Sequence, residues 1–62
     1  MRPIESWARF ITLSALRDNP GADLRRIADL TDLSDDDLFI VLRGLVREGS
    51  VRVDDARRFW IN

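Results

Sequence analysis

The sequence contains no cysteine and no histidine, and all ten of its basic residues are arginine. Without cysteine there is no disulfide framework and no thiolate metal site. Without histidine the commonest metal ligand and the commonest general base are missing, and without lysine no serine can form a Ser–Lys pair. No glycine-rich phosphate loop is present. We therefore expect no enzymatic activity, no cofactor and no metal site.

Long apolar runs and a strong excess of one charge are also missing. No run approaches membrane-spanning length and no signal peptide is visible, so we expect a soluble cytoplasmic protein with no membrane partner. Ten basic residues stand against eleven acidic ones, for a net charge of −1; a strongly basic chain would have indicated nucleic acid directly. With 62 residues the chain makes a single domain, 1–62, with a small core, which favours a binding partner or a dimer.

The most clearly marked element is a helix at residues 34–49. Ser34 is suited to be its N-cap, and Asp37, three residues later, completes a variant of the capping box. Asp35, Asp36 and Asp37 occupy the first turn, where the helix dipole favours negative charge, and Gly49 has the position of a C′ residue. Apolar residues recur at helical spacing between these ends: Leu38, Leu42, Leu45 and Val46.

A first helix is predicted at residues 1–18, with Pro3 in its first turn, and Asn19-Pro20-Gly21 ends it. Its predicted apolar surface is broad, and a helix that apolar contacts more than one neighbour. We therefore expect a homodimer formed through this N-terminal helix, with Trp7 and Trp60 in the core or the subunit interface. One face is formed by Ile4, Trp7, Ala8, Ile11 and Ala15, and it is widened by Phe10, Leu13 and Leu16.

The remaining elements are shorter. Asp23 is the predicted N-cap of a second helix, Leu24–Thr31, and the tight turn 31–33 separates this helix from the third. After Gly49 the apolar period changes to two, which predicts strands at Val51–Val53 and at 59–61, joined by a polar turn at 54–57. The predicted fold is α+β, with three helices followed by a two-stranded β-hairpin.

This order resembles the winged helix-turn-helix superfamily, as found in small prokaryotic transcription regulators, in which the hairpin is the wing. The resemblance covers nearly the whole chain and implies DNA binding, although such domains also serve as protein-interaction modules. The residues that carry it are Ile11, Leu16, Pro20, Leu24, Ile27, Ala28, Leu30, Leu33, Ser34, Leu38, Leu42, Leu45, Gly49, Ser50, Val51, Arg57, Arg58, Phe59, Trp60 and Ile61.

Under the first hypothesis, a transcriptional regulator contacts the backbone of duplex DNA through arginines of the second helix, the third helix and the wing. The alternative for each arginine is a solvated surface with ion pairs, for example Arg43 with Glu48 or Arg57 with Asp54. The predicted nucleic-acid-binding residues are Arg25, Arg26, Arg43, Arg47, Arg57 and Arg58.

The second hypothesis is a protein-interaction module that does not bind DNA. Acids in the first turn of the third helix would meet the phosphate field of DNA, where base readout normally uses other side chains. Phe39 and Ile40 are apolar beyond the core stripe, so at least one of them should be exposed, unless the helix is rotated and buries one. The predicted partner-binding residues are Phe39, Ile40, Asp35 and Asp36.

Overall fold

The computed structural model describes the backbone of residues 3–62 and the side chains of residues 6–62. Met1 and the side chain of Ile4, which the predicted first helix includes, lie outside this description. The fold is α+β, as predicted. Its helices are α1, Pro3–Asp18; α2, Leu24–Thr31; and α3, Asp35–Arg47, and its strands are β1, Ala22–Asp23; β2, Val51–Val53; and β3, Arg58–Ile61.

The ends of α2 and α3 are held by the predicted caps. The Asp23 carboxylate accepts from the backbone N–H of Arg26 at 2.9 Å, and Ser34 Oγ accepts from the N–H of Asp37 at 3.2 Å. The capping box is only half formed, because no hydrogen bond among residues 6–62 returns from the Asp37 side chain to Ser34. Beyond α3, Gly49 has a φ of +85°, the left-handed conformation expected of a C′ glycine.

The predicted antiparallel hairpin is confirmed in β2 and β3. β1 adds a third strand that was not predicted, so the sheet has three antiparallel strands in the order β1-β3-β2. β3 is central: Ala22 of β1 lies opposite Phe59, and on the other side Val53 of β2 lies opposite the same Phe59. Gly21 extends the β1 pairing by donating its N–H to the carbonyl of Phe59 at 3.0 Å. The extra strand is only two residues long, which is too short to produce an apolar period in the sequence.

All three helices, β1 and β2 contribute to the core. The predicted α3 stripe is confirmed there at Leu38, Leu42 and Leu45, and the partly buried Val46 packs against it. The fully buried side chains with the largest volumes are Leu16, Ile27, Leu38, Leu45, Val51 and Thr12.

The rest of the domain covers the apolar surface of α1 only in part, as predicted, but the burial of Thr12 was not predicted. The helix buries Ala8, Thr12 and Leu16, which are four residues apart, while Trp7 is 55% exposed and Phe10 is 67% exposed. Counting only apolar residues missed the middle of the buried face, because this position is a polar threonine. The result is that α1 turns two large aromatic side chains toward solvent.

Candidate functional site

The outer surface of α3 carries charges of opposite sign at its two ends. Asp35, Asp36 and Asp37 are exposed in the first turn, and Arg43 and Arg47 are exposed toward the other end. The N-terminal end of this surface is thus acidic and its C-terminal end basic.

Two apolar side chains lie between these charges. Phe39 is 50% exposed and Ile40 is 69% exposed, so the alternative in which a rotated helix buries one of them was wrong. The physical reason is that Leu38, Leu42 and Leu45 already occupy the core side of the helix. The outer surface of α3 therefore has an apolar centre.

Beside this surface an open groove of about 730 Å³ runs between α3, the start of α2 and the hairpin. Its apolar lining includes the buried Leu42 and five residues that are half-buried or more exposed, and exposed arginines from three elements also line it. One acidic residue, Asp23, is among the residues described as lining the groove. The apolar lining is formed by Leu24, Phe39, Leu42, Val46, Val53 and Phe59, and the arginines are Arg25, Arg43, Arg47 and Arg57.

The groove brings together four of the six predicted nucleic-acid-binding arginines, whereas Arg26 and Arg58 are exposed but do not line it. None of the six forms a salt bridge with another residue of the part of the chain described. The ion pairs suggested from the sequence, Arg43 with Glu48 and Arg57 with Asp54, were therefore wrong. These guanidinium groups remain available to carboxylate or phosphate ligands.

Glu48 has a different partner. Its carboxylate accepts from Nη2 of Arg9 on α1 at 2.6 Å and from Oγ of Ser50 at 3.0 Å. These hydrogen bonds, the one from Arg9 first, lower the pKa of Glu48. The contact ties α1 to the end of α3 and leaves Arg43 free.

Asp54 holds the hairpin turn and was not predicted as a structural centre. Its Oδ1 accepts from the N–H groups of Arg58 at 2.9 Å and Ala56 at 3.0 Å, and its Oδ2 accepts from Nε1 of Trp60 at 2.9 Å. These bonds, the one from Arg58 first, lower the pKa of Asp54. Arg57 lies within the turn at a φ of +61°, so Asp54 fixes the backbone that carries this arginine to the groove. The available sequence signal was an aspartate opening a polar turn.

Trp60 makes contacts within one copy of the chain. Its indole lies against Gly21, its ring centroid is 5.3 Å from the guanidinium carbon of Arg52, and it is partly buried. The cation–π contact with Arg52 occupies a face of the ring, and the hydrogen bond to Asp54 satisfies the N–H at its edge. Of the two tryptophans, Trp7 is therefore the one left with an open surface.

Exposed arginines can contact carboxylates or phosphates of a ligand, and the apolar side chains of the groove can contact its apolar groups. Among residues 6–62, whose side chains the structure describes, there is no group of three or more histidine, cysteine, aspartate or glutamate side chains arranged to hold a metal ion. In the same part of the chain, no helix combines the length and the apolar character needed to cross a membrane. No family model, curated protein or solved structure matches this chain.

Proposed function

We propose that this protein is a winged helix-turn-helix domain that binds another protein through the outer surface of α3 and the adjoining groove. The order of three helices and a hairpin supports the winged-helix relationship. The observation that carries the function is the groove itself, which is lined by apolar side chains and by four arginines that have no ion-pair partner among the described residues.

This combination favours a protein ligand over DNA. Protein interfaces have an apolar centre and are enriched in aromatic residues and arginine, as the surface around Phe39 and Ile40 is. DNA offers a charged backbone, which gains little from an apolar groove lining. Asp35, Asp36 and Asp37 at the start of α3 would also be repelled by phosphates, and the net charge of −1 adds no general attraction.

The chemistry of the groove describes its ligand. Apolar side chains of the ligand would cover Leu24, Leu42 and Phe59, and carboxylates at its edges would reach the arginines. The volume of about 730 Å³ accommodates a few side chains, which fits an amphipathic helix laid into a groove. The proposed partner is therefore a protein segment with a leucine- or phenylalanine-rich face bordered by glutamate or aspartate.

DNA binding is the second candidate function, because a specific observation favours it. All six predicted arginines are exposed and form no salt bridge within the described residues, and they come from α2, α3 and the hairpin, the elements that contact DNA in winged-helix regulators. In this case Arg26 and Arg58, which lie outside the groove, would add phosphate contacts.

Fluorescence anisotropy with three labelled probes separates the two functions: an acidic amphipathic helical peptide, the same peptide with lysine replacing each glutamate, and a short DNA duplex. We expect binding of the acidic peptide alone. Arg43→Ala with Arg47→Ala should weaken that binding at least about tenfold, equivalent to about 1.4 kcal/mol. Arg17→Ala is the matched control, because Arg17 is an exposed arginine of α1 outside the groove.

The opposite result would establish DNA binding. The duplex would bind with an affinity that falls steeply as salt rises, and the acidic peptide would not bind. Replacing Asp35 and Asp36 with asparagine changes the net charge from −1 to +1. For a DNA-binding protein this variant should bind the duplex more tightly, with the gain fading at high salt.

A further inference from the structure

Four exposed side chains of α3 lie along one line of the helix. Asp36, Ile40, Arg43 and Arg47 follow one another at intervals of four, three and four residues, and all are exposed. These intervals are those of the contact line of two paired helices. The line, called here the α3 seam, lies opposite the core stripe of Leu38, Leu42 and Leu45, so the domain itself leaves it uncovered.

We propose that two copies of this chain pair through the α3 seam, with the helices antiparallel. The inference rests on the proposed function, since it treats the outer surface of α3 as a protein-binding surface and names one partner for it. The order of charges selects the orientation. In a parallel pair Asp36 would meet Asp36 and each arginine would meet an arginine, whereas an antiparallel pair brings acid to base.

The seam intervals also select a register. With a two-fold axis passing between positions 41 and 42, Asp36 lies opposite Arg47 of the second copy, and Ile40 lies opposite Arg43 of the second copy. Because of the two-fold symmetry, the contact between Asp36 and Arg47 and the contact between Ile40 and Arg43 each occur twice, as in isologous dimers. The apolar stem of arginine covers the isoleucine while its charged head stays hydrated, and the exposed Phe39 lies at the border of the same surface.

Gly44 is an independent observation that points to a close neighbour at this surface. It is an exposed glycine within α3, and a Cβ placed on it would meet nothing within 4 Å. The single domain therefore has no steric need for glycine here, although glycine costs about 1 kcal/mol relative to alanine inside a helix. Gly44 lies beside the seam, directly after Arg43, where a missing side chain lets a second helix approach closely.

Charge exchange tests the pairing. Light scattering on the wild-type chain at rising concentration should give twice the chain mass. Asp36→Arg and Arg47→Asp should each give the single-chain mass, because each variant faces two like charges across the seam. An equimolar mixture of the two variants should return to twice the chain mass, because both contacts are then attractive. Asp29→Arg, which changes an exposed aspartate of α2 away from the seam, should remain dimeric.

Two results would overturn the inference. One is a single-chain mass for the wild type at every concentration. The other is a dimer that survives Asp36→Arg but is lost in Phe10→Asp, which would assign the interface to the N-terminal helix, as the sequence analysis predicted. Recovery of the dimer in the mixture also shows that both variants fold.

Neither result decides the proposed function. Asp36→Arg retains the groove and its arginines, so the acidic peptide can be tested on this variant at concentrations where it is monomeric. Peptide binding by a chain that never dimerises would refute the pairing and leave the proposed function standing. If the peptide does not bind but the charge-exchange experiment gives the expected masses, the proposed function of the groove is refuted and the pairing stands.

Discussion

The indole N–H of Trp60 donates to Oδ2 of Asp54 at 2.9 Å, linking the middle of β3 to the start of the hairpin turn. The other oxygen of the same carboxylate accepts from the backbone N–H groups of Ala56 and Arg58. One side chain therefore satisfies three donors, and the turn that carries Arg57 depends on it.

Asp54→Asn should lower the melting temperature at neutral pH, because the amide presents an NH₂ donor where the Trp60 N–H needs an acceptor. The three donors lower the pKa of Asp54 from its ordinary value of 3.8. Its stabilising contribution is therefore complete above that value and is lost as the pH falls through the lower pKa of the folded state. The difference in melting temperature between wild type and variant should shrink below about pH 3.8. A difference that stays constant down to pH 2 would contradict this role.

Gly21→Ala should destabilise the domain by about 1–3 kcal/mol, the cost typical of a strained backbone position. Gly21 has a φ of +81°, and an added Cβ would lie 2.7 Å from Cη2 of Trp60. Gly44→Ala is the matched control: it meets open space and should stabilise the helix by about 1 kcal/mol. Chemical denaturation of both variants in the Asp36→Arg background separates folding from self-association. Equal stabilities for the two glycine variants would rule out the proposed contact with Trp60.

Ser34→Ala should cost about 1 kcal/mol of folding free energy, because it removes the acceptor for the Asp37 N–H at the start of α3. Ser34→Asn supplies another good capping side chain and should retain most of the stability. Urea unfolding curves give the comparison. If alanine and asparagine behave alike, the side chain at position 34 does not cap the helix.

Thr12→Val should raise the stability by about 1 kcal/mol. Thr12 is fully buried and its hydroxyl has no hydrogen-bond partner within the described part of the chain, so the replacement removes an unsatisfied group at nearly constant shape. Thr31→Val is the contrasting control, because the Thr31 hydroxyl donates to the carbonyl of Ile27 at 2.8 Å and its loss should cost about 1 kcal/mol. Calorimetric melting of both variants should show shifts of opposite sign. Shifts of the same sign would contradict the assignment of Thr12.

Local signals in the sequence predicted the local parts of the fold. The caps at Asp23 and Ser34 and the buried stripe of α3 depend on residues within one or two helical turns, and all three were predicted correctly. The burial of Thr12 on α1 was not predicted, because it is decided by the packing of α1 against the rest of the domain.

The site depends on distant residues and was less accessible from the sequence. The partner of Glu48 is Arg9, 39 positions away, and a nearer arginine looked equally suitable. The groove joins Leu24, Val46 and Phe59 from three separate elements, so no sequence window contains it. The arginines could be recognised individually, but their arrangement around an apolar lining required the tertiary structure.

The shortness of β1 and β2 has a consequence for aggregation. These outer strands have two and three residues, and β3, the longest, is covered on both sides. A strand arriving from another molecule would find too few consecutive backbone groups for a stable ladder, which is one way in which proteins avoid edge-to-edge growth. The folded domain should therefore resist seeding cross-β fibrils even at high concentration.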